Sequence, residues 1–442
     1  MDAVQSASAE GRNLRDGVRA LLSEAKGPLG RGAFFLSLNQ VVVSALGFLF
    51  WIVVARTYEP AAVGRATSLI AAGVFLAIMA TMGLPYALVR RIASSRDPRR
   101  LGRSVLLATG GAGLAAGAGG GIAFALLSPQ FASALSSPLD VALFAGFVCA
   151  FTLEVVLEQV LVAARKSEWS TAMLLVFSAL RLAGPFAVPG GGVRELVLFW
   201  AASMGLAVAG TLLVLVPRAL AALPAAPEGE PPALRPLVSY AALNHAATLL
   251  ALAGPSLLPA ALLMALGGTE GATAAASFYL AFQVASLLFT VSVALALVQF
   301  AEGSRPDVDR RANERRALRL GAMVVVPASA LLVVLAPLIL SFFGALYSDA
   351  ATPLLRALAL AAVAALPATV LATRYRLSGD LRPPILAAGL SSGLALIGAL
   401  VMVPLVGLVG AGIAILAGQV VAGALLSLAP GRAAKEGGAS LV

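Results

Sequence analysis

The chain has 442 residues, of which 60% are hydrophobic and only 12% charged, and its mean hydropathy is +0.94. A soluble globule needs more polar surface than this, so that class is excluded. The net charge of +10 would suit nucleic acid in a soluble domain, but the basic residues lie in short connections between apolar stretches, where they set membrane topology; no nucleic-acid partner is expected.

Residues 1–32 carry Arg12, Arg15, Asp16, Arg19, Glu24 and Lys26, a charge density that does not suit a cleavable leader. This segment is expected in the cytoplasm, with Leu14, Val18, Leu21 and Leu22 at a spacing that lets it lie on the membrane surface. Roughly 20 residues cross a bilayer core, and every span must be helical because lipid leaves no backbone group an outside partner. On that ruler six spans fall near 33–55, 64–89, 104–127, 141–164, 169–190 and 194–216, forming a first lobe over 33–216. A polar connection over 217–236 follows, with Pro224, Pro227, Glu228, Glu230, Pro231 and Pro232. Six more spans near 237–266, 272–300, 318–343, 352–374, 383–404 and 407–428 make a second lobe over 237–428, and 429–442 is a cytoplasmic tail. The fold class is all-α and polytopic, with twelve transmembrane helices in two pseudo-symmetric lobes.

Orientation follows from Lys and Arg. One side of this arrangement collects 26 of them and the other only Arg56, Arg65, Arg194 and Arg356, with Arg181 inside a span. The first side is therefore expected to be cytoplasmic, with both termini there and the protein in the cell's inner membrane. The second span of each lobe runs into a dense arginine loop: Arg90 to Arg103 in the first, Arg305 to Arg319 in the second. Asn39 and Asn244 stand near the starts of spans one and seven, and the turns at Gly64 and Gly271 open spans two and eight. A duplicated six-helix unit points to a transporter whose site lies where the lobes meet.

Charges inside a span are expensive and mark candidate sites. Glu154 and Arg181 flank the turn after span four, at depths that permit a buried ion pair serving either packing or substrate and proton binding. Glu158 is one turn beyond Glu154 on the same face, as a proton site or a solvated vestibule carboxylate. His245, the only histidine, is either a pH-sensing or sugar-binding group or a helix contact. Asn39, Gln40, Asn244 and Gln283 suit sugar hydroxyls or helix–helix hydrogen bonds equally. Arg56 and Arg65 sit at the outer mouth, attracting phosphate or anchoring at the interface. Pro255 and Pro259, with Gly254, interrupt span seven as a hinge or a packing kink, and Pro185 and Pro189 do the same near the outer end of span five. The Gly110 to Gly121 run in span three reads as a close helix-packing surface. No ATPase motif is present, and Cys149 is the only cysteine, so no cofactor or metal is expected.

The segment Met402 to Gln419, MVPLVGLVGAGIAILAGQ, resembles the closing pattern of the polysaccharide flippases of the multidrug/oligosaccharidyl-lipid/polysaccharide exporter (MOP) superfamily, and Leu49 to Gly64, LFWIVVARTYEPAAVG, is similar to their first hairpin. The resemblance implies a V-shaped pair of six-helix lobes, like that of the multidrug and toxic compound extrusion (MATE) proteins. Its implied function is alternating-access transfer of an undecaprenyl-diphosphate-linked glycan for surface polysaccharide such as lipopolysaccharide. The implied partners are the lipid-linked oligosaccharide, membrane lipids, a coupling ion, and glycosyltransferases or a polymerase of the same pathway. The sequence departs from the flippases in having Arg181 as its only deep basic residue. An ion-coupled multidrug exporter of the same superfamily is the alternative. A membrane glycan polymerase or ligase would need a large outer loop that the sequence lacks, and the chain is not expected to be an enzyme.

Overall fold

A computed structural model describes residues 28–92, 95–221, 223, 235–305 and 307–429, and it is helical almost throughout. The first half comprises α1 (Pro28–Thr57), α2 (Pro60–Ala80), α3 (Leu84–Ile92), α4 (Pro98–Leu127), the short α5 (Pro129–Ala134), α6 (Pro138–Ala163), α7 (Ser167–Ala187), α8 (Val193–Gly210) and α9 (Val216–Ala221). The second comprises α10 (Arg235–Leu266), α11 (Gly268–Gly303), α12 (Arg310–Ser341), α13 (Ala345–Ser378), α14 (Arg382–Val406) and α15 (Val409–Leu428). Span one is α1, span two is α2 with α3, spans three to five are α4, α6 and α7, and span six is α8 with α9. Spans seven to twelve are α10 to α15. Among the described residues eleven helices are long and apolar enough to cross a membrane, and residues 42–57 of α1 add a shorter apolar stretch. The protein is a multi-pass membrane protein.

Helix starts follow local chemistry. Proline in the first turn opens α2, α4 and α6, where its missing N–H has no intrahelical partner to lose. Asp97 accepts the Arg100 amide at 2.9 Å, Asp309 accepts the Arg311 and Ala312 amides, and Ser137 with Asp140 forms a reciprocal capping box. Spans eight, nine and ten are longer than the apolar windows suggest because backbone pairing continues past the hydrocarbon edge, which hydropathy alone does not register. The connection between the lobes is correspondingly shorter than 217–236. A π-turn over Thr211–Leu215 absorbs the carbonyl that Pro217 cannot bond, and the helix resumes to Ala221. Most of the linker (222 and 224–234), residues 1–27 of the N-terminal segment and residues 430–442 of the tail lie outside the described residues.

In the first lobe span four packs against spans three and six, and the glycine run of span three makes the close approach: a Cβ at Gly117 would press on Ala145 and Val148, and one at Gly113 on Thr152 and Cys149. In the second lobe span ten is enclosed by spans eight, nine and twelve. The lobes meet chiefly where span two lies against spans seven and eight. At one end of that seam a Cβ on Gly64 would collide with the Ala272 carbonyl, so only glycine permits the backbones to touch. Span two breaks at Thr81–Gly83, where Met82 (φ 51°) and Gly83 (φ 70°) turn the chain, whereas span eight runs 36 residues unbroken.

Candidate functional site at the lobe interface

Arg181, on span five, is the only buried arginine or lysine among the described residues and is just 4% exposed. Its guanidinium lies 4.9 Å from the Phe50 ring, 4.7 Å from Phe177 and 4.5 Å from Trp200, a three-sided aromatic cage that holds the cation through the ring quadrupoles. Gly47 on span one makes room, because a Cβ there would stand 3.2 Å from the guanidinium nitrogen. Tyr279 of span eight reaches the cluster from the other lobe, close enough to interact electrostatically with Arg181 and packed edge-on against Trp51 at 5.0 Å. Arg181 Nε, Trp51 Nε1 and Trp200 Nε1 are buried without hydrogen-bond partners. These are all donors. Such donors around a cation, with no carboxylate among them, can donate hydrogen bonds only to an incoming acceptor such as an anion.

Glu154 forms no ion pair with Arg181, so the expected pair is absent. Glu154 stands nine residues before the end of α6 and Arg181 fourteen after the start of α7, an offset of five residues or about 7 Å along the axes. Span five moreover packs mainly on spans one and six, which turns the Arg181 face toward the aromatic cage and away from span four. Glu154 and Glu158 are half-buried, and their carboxylates are near enough to repel one another. Neither makes a hydrogen bond or ion pair with another described residue.

The remaining expected residues are dispersed. Arg56 donates from Nε to the Phe342 carbonyl at 2.7 Å and from a terminal nitrogen to Ser341 at 3.3 Å, so it clasps the C-terminal end of span nine, where the helix dipole favours a cation. Phe48 and Phe343 meet edge-on beside this clasp. Arg65 is half-buried on span two. His245 is 8% exposed, and its Nε2 lies 3.3 Å from the Met79 carbonyl beside the break in span two, a carbonyl that also accepts the Met82 amide at 3.2 Å. Gln283 is half-buried one turn from Tyr279 on span eight. Span seven stays helical through Pro255 and Pro259, and just before them Ser392 of span eleven inserts its hydroxyl into the ladder, donating to the Leu250 carbonyl and accepting from Gly254 N–H at 3.1 Å. The side chains of Asn39, Gln40 and Asn244 lie outside the described residues.

Sequence reasoning missed Trp51, Trp200, Tyr279 and Ser392. The polar edge of an aromatic residue in an apolar span is a legible signal for the first three, since buried Trp and Tyr ordinarily find partners. A serine that bridges a helix rung in another span has no signal along the chain.

Several solved structures share this architecture. The lipid II flippase MurJ in an inward closed conformation is 12% identical, with TM-score 0.60, covering 89% of this chain and 86% of that one. A MATE protein in the straight conformation is 17% identical, with TM-score 0.59 and coverages of 90% and 94%. A MOP-superfamily transporter from Pyrococcus furiosus is 14% identical, with TM-score 0.55 and coverages of 91% and 94%. The chain has the MOP-superfamily fold. A family model described as "Polysaccharide biosynthesis protein" matches residues 29–112, which take in spans one and two and the first arginine loop. No curated protein matches by sequence.

Proposed function

We propose that this protein is a flippase that carries an undecaprenyl-diphosphate-linked oligosaccharide across the cytoplasmic membrane for surface polysaccharide assembly, by alternating access between its two lobes. The single observation that carries this reading is Arg181: a buried, unpaired cation at the lobe interface, ringed by unpartnered donors, in a chain whose first spans match a polysaccharide biosynthesis model. Passing the sugars through lipid unaided would leave their hydroxyls unpaired, so a protein path is required, while the lipid tail stays in the bilayer. Separation of span eight from spans one and five opens the cage to a diphosphate, which the guanidinium grips with paired hydrogen bonds. The similar structures named above are transporters and a flippase, in keeping with transport rather than catalysis. The two-lobe division, the cytoplasmic placing of both termini, and association with glycosyltransferases or a polymerase of the pathway belong to the same reading.

Glu154 and Glu158, unpaired in span four, favour a second reading: an ion-coupled exporter of cationic drugs, in which the acids take the cargo or the proton. One experiment separates the two. Purified protein is reconstituted with a lipid-linked oligosaccharide and assayed for leaflet transfer, with Arg181→Gln and Glu154→Gln in parallel. Transfer that Arg181→Gln abolishes supports the flippase; no transfer, with expulsion of a cationic dye that depends on Glu154, replaces it with the exporter.

A further inference from the structure

We propose that the arginine stripe at the start of span nine is a binding site for the phosphate headgroup of an anionic phospholipid, with a counterpart at the start of span three. At about 1.5 Å per residue the 32-residue α12 is about 48 Å long, well beyond the roughly 30 Å of hydrocarbon that about 20 residues cross. Counting back from Ser341 puts the hydrocarbon edge near Gly321. Arg315, Arg316 and Arg319 therefore stand at headgroup level, and Met323, 71% exposed, faces the acyl chains below them.

These residues share one helix face. Ala312, Arg315, Arg316, Arg319, Leu320 and Met323 line a surface cleft of about 390 Å³, while Asn313, Ala317 and Gly321 are buried on the opposite face. The cleft has guanidiniums at its polar end and apolar side chains at the other, which is the division of a phospholipid. The three arginines are exposed and make no hydrogen bond or ion pair with other described residues. The acids that might neutralise them are engaged elsewhere: Asp309 caps the helix, and Glu314 turns inward to Arg374 at 3.7 Å.

The first lobe repeats the pattern at identical spacing. Arg99, Arg100 and Arg103 on span three are exposed, with Leu107 68% exposed one turn further in, and Leu101, Gly102 and Val105 are buried behind them. Asp97 again caps the helix and leaves the guanidiniums free. General topology-setting charge requires only that basic residues lie on one side. It does not require the same four-residue stripe, three arginines above one lipid-facing apolar side chain, on the same span of both lobes. A basic cleft at the membrane surface attracts anionic headgroups at a favourable energy for each arginine.

The test uses the full chain in detergent, titrated with phosphatidylglycerol or with phosphatidylcholine of the same acyl chains, and native mass spectrometry to count retained lipid. We expect two retained phosphatidylglycerol molecules and none of phosphatidylcholine. The triple variant Arg315→Gln/Arg316→Gln/Arg319→Gln should lose one, its affinity falling at least about tenfold, and Arg99→Gln/Arg100→Gln/Arg103→Gln the other. A control that removes three charges elsewhere, Arg218→Gln/Arg305→Gln/Arg382→Gln, should retain both. Equal loss in the control would overturn the proposal in favour of general charge, and displacement of the lipid by millimolar inorganic phosphate would overturn the choice of a lipid ligand. The result is independent of what the protein transports.

Discussion

The two lobes share a scaffold and divide the chemistry. The first carries the buried cation Arg181, the half-buried acids Glu154 and Glu158, and a second span that breaks at Thr81–Gly83. The second lobe answers with Tyr279 beside Arg181 and His245 beside the Met79 carbonyl, on spans that are each a single helix. Span seven stays helical through Pro255 and Pro259, and Ser392 bridges the rung just before them. The two halves thus pack alike while their polar residues differ. Under the proposed function, Arg181 puts the main substrate contact in the first lobe.

This contrast can be broken in graded ways. The largest effect is expected from Arg181→Gln, which should lower leaflet transfer by about 30- to 100-fold, the value of a charged hydrogen-bonded contact, while thermal stability holds or rises because an unpaired buried charge is removed. A large fall in melting temperature alongside the transfer loss would instead make Arg181 a packing residue. Gly64→Val should force spans two and eight apart where they touch and cost about 1–3 kcal/mol, read as a lower melting temperature and faster cysteine crosslinking access at the seam. Ser392→Ala should cost about 1 kcal/mol and raise hydrogen exchange at Gly254 selectively; unchanged exchange there would show that span seven does not need the bridge.

The smallest effect concerns the outer turn after span one. Burial, with the Glu195 charge adding to it, pushes the Tyr58 hydroxyl above its ordinary value of 10.0, and the hydroxyl donates to the Val188 carbonyl. A raised folded value means that the neutral form is favoured in the native state. Its stabilising contribution is complete below pH 10 and is lost as pH rises through the folded value. Tyr58→Phe should therefore flatten the alkaline limb of the stability profile and leave its acid limb unchanged, as melting between pH 7 and 11 would reveal.

Much of this was legible along the chain. The apolar runs place all twelve spans, and the glycines of span three announce a close helix contact because only small residues let backbones approach in lipid. Arg181 stands out for the same reason, since a lone charge in an apolar run is costly wherever it points. Its partner was not legible. Glu154 lies near it on the next span, and depth alone recommends the pair, but pairing also needs both side chains to face one another. That depends on the rotation of span five, which is governed by its packing on spans one and six.

Composition, hydropathy and the placing of basic residues by themselves determined that this is a helical membrane protein with twelve spans and duplicated arginine loops, because burial in lipid is a property of each segment taken alone. Only the tertiary structure decided that Arg181 sits in an aromatic cage, that Arg56 clasps the far lobe, and that Ser392 bridges a rung of span seven. Each of those contacts joins residues far apart along the chain, and the facing of a helix toward its neighbours is a collective result of packing that no single span specifies.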